Sequence, residues 1–475
     1  METMTLREVA CATGGTLLAG DPDARVTSVC TDSRTITPGA LFIPIVGVRF
    51  DAHAFIPQAF GAGASATLAS AGQPADFSPD IVGAAGWIRV ENTVTALQHL
   101  AAAYRSRFRI PVVGVTGSVG KTSTKEMIAD ALSPGHRVLR TRGNFNNEIG
   151  LPMTLLEFES THTAAVLEMG ASASGEIALL TRLAAPSRAI VTNIGISHIE
   201  FFRTREAIRT EKLSIAEGFP PEGGVLFLNG DDPLLAALRG KIPVPTVWFG
   251  TAPWCEYRAG DVRIEEGQTT FTLEHPAGHT EVVLPVTGMH HVRNALAAAA
   301  VADSLGVPPD QSALGMRDYR GAAMRQQIRE GRGLKIIDDS YNASPDSVRS
   351  GLDVLAAIRT SGRRIAVLAD MYELGDQARS AHLEAGRIAV ERGVDELVAI
   401  GTMAEWIREG AMEALDSGDG TRTGVHAFAT LHEAFDYLAG FSVPGDAILV
   451  KGSRGMHADR LARALVSGDE KELEG

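Results

Sequence analysis

Apolar runs and amphipathic stretches alternate along the chain in three successive series. In residues 110–127 the run Val112, Val113, Val115 is β-branched and free of polar residues, the pattern of a parallel strand buried on both faces. It breaks into Gly117-Ser118-Val119-Gly120-Lys121-Thr122-Ser123, and Met127, Ile128 and Leu132 then recur at helical spacing. Apolar strands are predicted over 163–168, 189–195 and 225–232, and an alanine-rich helix over 295–305. Ahead of this series, strand-like segments (26–29, 40–45) alternate with helical ones (54–62, 94–104). Behind it, strands at 334–337, 364–368, 396–400 and 447–450 alternate with helices at 344–358, 378–392, 403–415 and 431–438, a Rossmann-like doubly wound order. The patterning predicts an α/β protein of three domains. An N-terminal α/β unit (1–109) and a C-terminal Rossmann-like unit (312–475) flank a central parallel-sheet unit (110–311) built on the glycine loop. The acidic tail from residue 467 is expected to fray.

Strand, glycine loop and helix together make a phosphate cradle. Glycines let backbone N–H groups approach phosphate oxygens, and the helix N-terminus adds its positive dipole end. Lys121 is placed to reach β- and γ-phosphates, and the Thr122 hydroxyl to ligate Mg²⁺. The full P-loop pattern asks for glycine at position 115, where this chain has Val115, with Gly114 one residue early. The plainer alternative is a glycine turn with a surface lysine, which the flanking strand and helix disfavour. In a parallel sheet the strand ends gather on the ligand edge, so Glu168 and His198 are candidates to face the phosphates; a satisfied structural role remains open for each. Residues 143–150 form an amide-rich loop. Asp32-Ser33-Arg34 closes a strand, where it either binds a small anion or caps a turn.

Composition narrows the partners. With 44 Lys+Arg against 57 Asp+Glu the net charge is −13, which argues against nucleic acid or an anionic membrane, so an anionic substrate must be held by local loops. Cys11, Cys30 and Cys255 lack metal-ligand spacing, and a reducing compartment is expected. The opening METMTLREVA lacks the layout of a signal peptide, and the most apolar helix contains Asp303 and is too short to span a bilayer. A soluble, cytoplasmic monomer is expected.

The order of these clusters resembles the Mur ligase family over nearly the whole chain. Asp32-Ser33-Arg34, the Pro38-Gly39-Ala40-Leu41-Phe42 run and the Gly47/Asp51/His53 pattern are similar to the family's UDP-binding domain. The centre carries TGSVGKTS, GNFNNEIGLP, LEMGAS and SHIEFF; the C-terminal unit carries MRQ, DDSYNASPDS, LADMYELG and VKGSRGM. DDSYNASP resembles the branch that adds D-alanyl-D-alanine to UDP-N-acetylmuramoyl-tripeptide, and the DNPR signature of the diaminopimelate- or lysine-adding branch is missing. Ala322-Ala323 replace the usual glycine before Met-Arg, and LADM replaces LGDM.

The resemblance implies ATP-driven amide synthesis through an acyl phosphate. It implies that Gly117, Ser118, Val119, Gly120, Lys121, Thr122 and Ser123 cradle ATP, with Asn294 at the adenine, Asp339 at the ribose and Arg325 at the phosphates. Asp32, Ser33 and Arg34 would hold the UDP end, with Asn144 and Asn147 as further substrate contacts. Tyr341, Asn342, Lys451, Ser453 and Arg454 would lie near the incoming dipeptide. Lys212 reads by itself as part of a charged helix face; the resemblance makes it a carbamylated lysine that joins Thr122, Glu168 and His198 around Mg²⁺, with two ions expected. Lys121, Glu168, His198 and Lys212 are then the catalytic group. Rivals are another amide ligase of this fold, either a diaminopimelate- or lysine-adding Mur ligase or a folylpolyglutamate synthetase, and a P-loop switch that uses nucleotide only to change shape. Polar clusters at strand ends in all three units favour an enzyme with several substrates.

Overall fold

The computed structural model describes residues 1–47, 50–70, 85–417 and 422–474. Within them the strands form three larger sheets, one for each alternating series, and a short pairing of Met4–Thr5 with Arg25–Val26. The first sheet runs Thr16–Ala19, Gly86–Val90, Ala66–Ser70, Ala40–Phe42, Ser28–Cys30, antiparallel only in its first pairing.

Val112–Thr116 lies inside the central sheet between Arg188–Val191 and Ala164–Glu168, parallel to both. Every residue of Val112–Thr116 and Ala164–Glu168 is buried, which is why both read as unbroken apolar runs. From Val112–Thr116 the chain goes out to Val138–Arg140 and returns to Ala164–Glu168. It then crosses to Arg188–Val191 and Val225–Asn229 on the other side. That reversal opens a crevice at the carboxyl ends of the strands, directly over the glycine loop. Met127, Ile128 and Leu132 of helix Lys121–Leu132 pack against the alanines of helix Met289–Ser304, whose short side chains let the two helices approach closely. Beyond Thr246–Gly250 and Tyr257–Glu265 the sheet continues as the antiparallel strands Gln268–His275 and Gly278–Leu284. The apolar-run reading passed over these strands because they bury alternate residues only.

The third sheet runs Gln327–Gly331, Leu334–Asp339, Ala447–Lys451, Arg364–Ala369, Glu396–Ile400, Gly424–Phe428, parallel except at Gln327–Gly331. This is the Rossmann-like order, with two edge strands added that carry no fully buried residue and so no apolar signature. The tail departs from expectation. It does not fray: Glu470–Leu473 forms a turn with Leu473 buried, Arg463 paired to Glu472 at 3.0 Å, and Arg460 donating to the Leu473 carbonyl at 3.1 Å. One apolar anchor in an acidic segment was enough. Among the described residues no helix is long and apolar enough to cross a membrane.

Helix Thr93–Arg105 joins the first unit to the second. Buried Arg105 donates to the carbonyls of Ala184 (3.1 Å), Phe108 (2.5 Å) and Ile110 (3.3 Å), and its guanidinium lies 5.4 Å from the Phe158 ring centroid. Tyr104 donates to the Phe158 carbonyl at 2.7 Å. Replacing Arg105 by methionine keeps much of the packing and deletes these charge-assisted bonds. Arg105→Met is expected to lower stability by about 1.5–3 kcal/mol, read as a lower urea midpoint. An unchanged midpoint would show that the joint does not depend on the guanidinium.

Candidate active site

The loop after Val112–Thr116 is built to approach other backbone closely. Gly117 has φ +149°, and a Cβ there would fall 1.8 Å from the Thr192 hydroxyl; Gly120 has φ +85°. The end of strand Arg188–Val191 staples the loop in place. The Asn193 carbonyl accepts from Ser118 N–H (3.1 Å) and its side-chain oxygen from Val119 N–H (2.9 Å), while the Thr192 hydroxyl donates to the Val119 carbonyl (2.6 Å). Helix Lys121–Leu132 starts at Gly120 without a side-chain cap, so its first-turn N–H groups remain available to an anion. Lys121 Nζ folds back to the carbonyls of Gly117 (2.8 Å) and Ser118 (3.3 Å). Burial pushes the Lys121 ammonium below its ordinary range; nearby Glu168 opposes this and Arg325 adds to it. The ammonium therefore gains from the arrival of a polyanion.

Glu168 ends strand Ala164–Glu168 and is 2% exposed. Its Oε1 accepts from Asn146 Nδ2 at 2.8 Å, and its backbone N–H donates to the Thr141 hydroxyl at 3.0 Å. Oε2 is buried without any hydrogen-bond partner. A carboxylate oxygen left bare in this way is costly unless a donor or a cation arrives. His198 begins helix Ile199–Phe202, and its Nδ1 lies 2.5 Å from Glu373 Oε2 of the third unit, off hydrogen-bond alignment. Burial lowers the imidazole pKa; Glu373 opposes this, and Lys121 and Lys212 reinforce it. Lys212 sits in the last turn of helix Arg205–Leu213, 2% exposed, and among the described residues no hydrogen bond or ion pair holds its ammonium. Burial first, and then Lys121, bring its pKa down to about 7, with Glu211 opposing.

The third unit supplies the facing wall. Arg325 lies 4.2 Å from the Tyr341 ring centroid. Asp339, at the end of strand Leu334–Asp339, meets Lys451 Nζ at 2.7 Å. Lys451 also donates to the carbonyls of Asp339 (3.3 Å) and Asn342 (2.9 Å). Burial moves both Asp339 and Lys451 toward their neutral forms, and their mutual contact resists it. Asn294, one turn into helix Met289–Ser304, accepts from the Thr124 hydroxyl at 3.0 Å.

A cleft of about 1080 Å³ gathers most of the expected residues. From the central unit it is lined by Ser118, Val119, Gly120, Lys121 and Ser123, and by Asn147, Glu168, His198 and Asn294; from the third unit by Arg325, Asp339, Tyr341, Asn342 and Lys451. Gly117, Thr122, Asn144, Lys212, Ser453 and Arg454 do not line it. The Ser453 hydroxyl accepts from Tyr372 N–H at 2.9 Å, and the exposed Arg454 lies 5.9 Å from the Tyr341 ring centroid. Asp32, Ser33 and Arg34 lie apart on the first unit. Asp32 caps the turn Ser33–Thr35 and is chelated by Arg34 at 2.7 and 2.9 Å, which holds its pKa down to about 2. The sequence reading missed Asn146, Asn193 and Glu373. Asn146 stands in the amide-rich loop already singled out, but spacing does not reveal which of its asparagines turns inward.

Family models match along the chain: the Mur ligase family catalytic domain over residues 25–105, the Mur ligase middle domain over 115–302, and the Mur ligase glutamate ligase domain over 324–454. The chain is 38% identical over 464 residues to the UDP-N-acetylmuramoyl-tripeptide–D-alanyl-D-alanine ligase of Bacillus subtilis, covering 97% of this chain and 98% of that one. Its fold superposes on MurF from Acinetobacter baumannii with a TM-score of 0.88 at 32% identity, over 98% of this chain and 99% of that one. It also superposes on the MurF ligase of Thermotoga maritima in complex with ADP, with a TM-score of 0.79 at 30% identity, over 94% and 98%.

Lys121→Ala is expected to leave thermal unfolding unchanged and to lower phosphoryl-transfer turnover about 10²–10³-fold. Near-native turnover at saturating nucleotide would refute the phosphate-loop assignment. Asn294→Ala and Asp339→Ala, on opposite walls of one cleft, are both expected to raise the nucleotide KM more than they lower kcat. An unchanged KM in both variants would dissolve the two-walled nucleotide site.

Proposed function

The chain belongs to the Mur ligase family, and from that premise we propose that it joins D-alanyl-D-alanine to UDP-N-acetylmuramoyl-tripeptide at the expense of ATP. The product is the pentapeptide precursor of peptidoglycan. The observation that carries this reading is a single cleft with a phosphate loop on one wall, an acid–lysine pair on the other, and a carboxylate with one bare oxygen beside the loop. The tripeptide carboxylate attacks the γ-phosphorus, ADP leaves, and an acyl phosphate forms. The dipeptide amine then attacks the acyl carbon; phosphate leaves and the amine gives up a proton. Anionic reactants must meet in both steps, so the site needs fixed N–H donors and cations.

In this reading the three units divide the work. Residues 1–109 take the UDP end through Asp32, Ser33 and Arg34, 110–311 take the phosphates, and 312–475 supply Arg325 and Asp339. The loop first turn and Lys121 hold the β- and γ-phosphates, and Asn294 takes the adenine side. Tyr341 and Asn342 face the dipeptide from the cleft wall, with Ser453 and Arg454 assigned to the same end from outside it, and Asn147 contacts the acceptor, with Asn144 assigned beside it outside the cleft. Lys451 acts at this edge through Asp339 and the Asn342 carbonyl. The enzyme is taken to work as a monomer in the cytoplasm.

Among the described residues no three His, Cys, Asp or Glu side chains gather as a metal cluster. The bare Glu168 Oε2 nonetheless suits a hard cation, with Thr122, His198 and a carbamate on Lys212 as further donors. Two Mg²⁺ ions would offset the charge of the transferring phosphoryl group. Lys212 fits carbamylation for a stated reason: an amine with a pKa of about 7 is substantially unprotonated at neutral pH, and only the free amine adds CO₂. The carbamate exchanges an unpaired buried cation for an anion with two oxygen donors.

Mass spectrometry tests the reaction: purified protein given ATP, Mg²⁺, UDP-N-acetylmuramoyl-tripeptide and D-alanyl-D-alanine should yield the pentapeptide, whereas folate plus glutamate should yield nothing. Lys212→Ala should abolish ligation, and Lys212→Arg should fail to restore it. Depleting CO₂ should lower wild-type activity reversibly, with rescue at a fixed dissolved CO₂ concentration faster at pH 8 than at pH 6 because the amine must be deprotonated to react. Normal turnover by Lys212→Arg would eliminate the carbamate.

A further inference from the structure

Besides their covalent connection, the central and third units meet at several places: Lys335 pairs with Glu266, Arg359 lies 3.6 Å from Glu265, the Ser350 hydroxyl lies 3.1 Å from His290 Nδ1, and the segment after strand Arg364–Ala369 reaches the start of helix Ile199–Phe202. Glu373 makes two contacts there. Its carboxylate lies 2.5 Å from His198 Nδ1, and its carbonyl accepts from the Glu200 N–H at 3.3 Å. Two residues on, a Cβ built on Gly375 would lie 3.4 Å from Glu200 Cα, so the two backbones are close to touching. Asp346 of the third unit adds a neighbouring contact. A Cβ on Gly195 would fall 2.4 Å from its carboxylate, which faces Arg205.

Both ends of the His198–Glu373 contact are conformationally unusual. His198 has φ +61° and Glu373 φ +62°, left-handed values that side chains with a Cβ avoid. Such backbone persists where the surroundings over-determine it, and it concentrates at functional sites. Tethering an interface does not require it: the Glu373 side chain is 45% exposed, and exposed pairs contribute little to stability. What the geometry achieves is orientation. A carboxylate 2.5 Å from Nδ1, although off hydrogen-bond alignment, faces that edge of the imidazole and leaves Nε2 on the other.

We propose that Glu373 is a positioning residue for His198. Docking of the third unit on the start of helix Ile199–Phe202 sets the imidazole, so the site is complete only when the two units are closed. This rests on the ligase reading given above. Closure then governs the chemical step as well as nucleotide affinity, because a central-unit residue is oriented by the unit that moves.

A double-mutant cycle with a scattering measurement tests it. Glu373→Ala and His198→Ala should each lower kcat for pentapeptide formation on the order of 10- to 100-fold, the range for a displaced reacting geometry. The double variant should be no worse than the more impaired single one, since both remove the same arrangement. Small-angle X-ray scattering of the full chain with Mg²⁺ and a non-hydrolysable ATP analogue should give a larger radius of gyration for Glu373→Ala than for wild type. Multiplicative losses, or a Glu373→Ala variant with wild-type kcat, would overturn the positioning role. Equal radii would overturn the docking role. Should the wild type form no pentapeptide, the ligase reading falls, while the scattering comparison still decides whether Glu373 holds the units together.

Discussion

Helix Lys121–Leu132 begins with its N–H groups uncapped, and the rest of the molecule is arranged to keep that end open, rigid and accessible. The constraint is electrostatic. A chain of net charge −13 has no general attraction for polyanions, so it must present concentrated local donors. Gly117 and Gly120 bend the backbone where a side chain would collide or strain, and Asn193 and Thr192 staple the bend to the adjacent strand. Those staples exist because the strand order reverses at Val112–Thr116 and brings Arg188–Val191 beside it. Topology therefore delivers the residues that hold the loop.

Three buried lysines show how burial sorts cations by role. Lys125, fully buried, donates to the Thr141 carbonyl at 2.6 Å and meets Glu126 at 2.7 Å. The Thr141 hydroxyl in turn accepts from the Glu168 backbone, so Lys125 ties the phosphate helix to the strand that ends in Glu168. Lys451 is likewise paired, with Asp339 and the Asn342 carbonyl. A buried ammonium paired with an acid and a carbonyl is architecture, because removing a partner would strand a charge. Lys212 has no such partner among the described residues, and burial lowers its pKa to about 7.

The cleft also explains why the protein needs separate units. Phosphate donors and Asn294 belong to the central sheet, whereas Arg325, Asp339 and Tyr341 belong to the third. Arg105 and Tyr104 anchor the first unit through buried carbonyls, a firmer joint than the half-exposed Glu373 contact on the other side.

Much was legible in the sequence alone. The buried parallel strands announce themselves as unbroken apolar runs because both their faces are covered, and the glycine loop announces itself because its backbone admits few other residues. Motif order was enough to name the family, since Lys121, Glu168, His198 and Asp339 lie within short distinctive strings. Edge strands such as Gln327–Gly331 and the antiparallel strands after Tyr257–Glu265 were not legible, because half-exposed strands leave only partial patterning. Nor was the partnering of polar side chains. Only packing decided that Asn146 turns to Glu168, that Lys451 spends its protons on Asp339 and a carbonyl, that Lys212 is buried, and that Glu373 crosses to His198. Sequence specifies which groups exist and the local geometry they favour. Burial, pKa and pairing depend on neighbours distant in the chain, and these are set when the sheets stack.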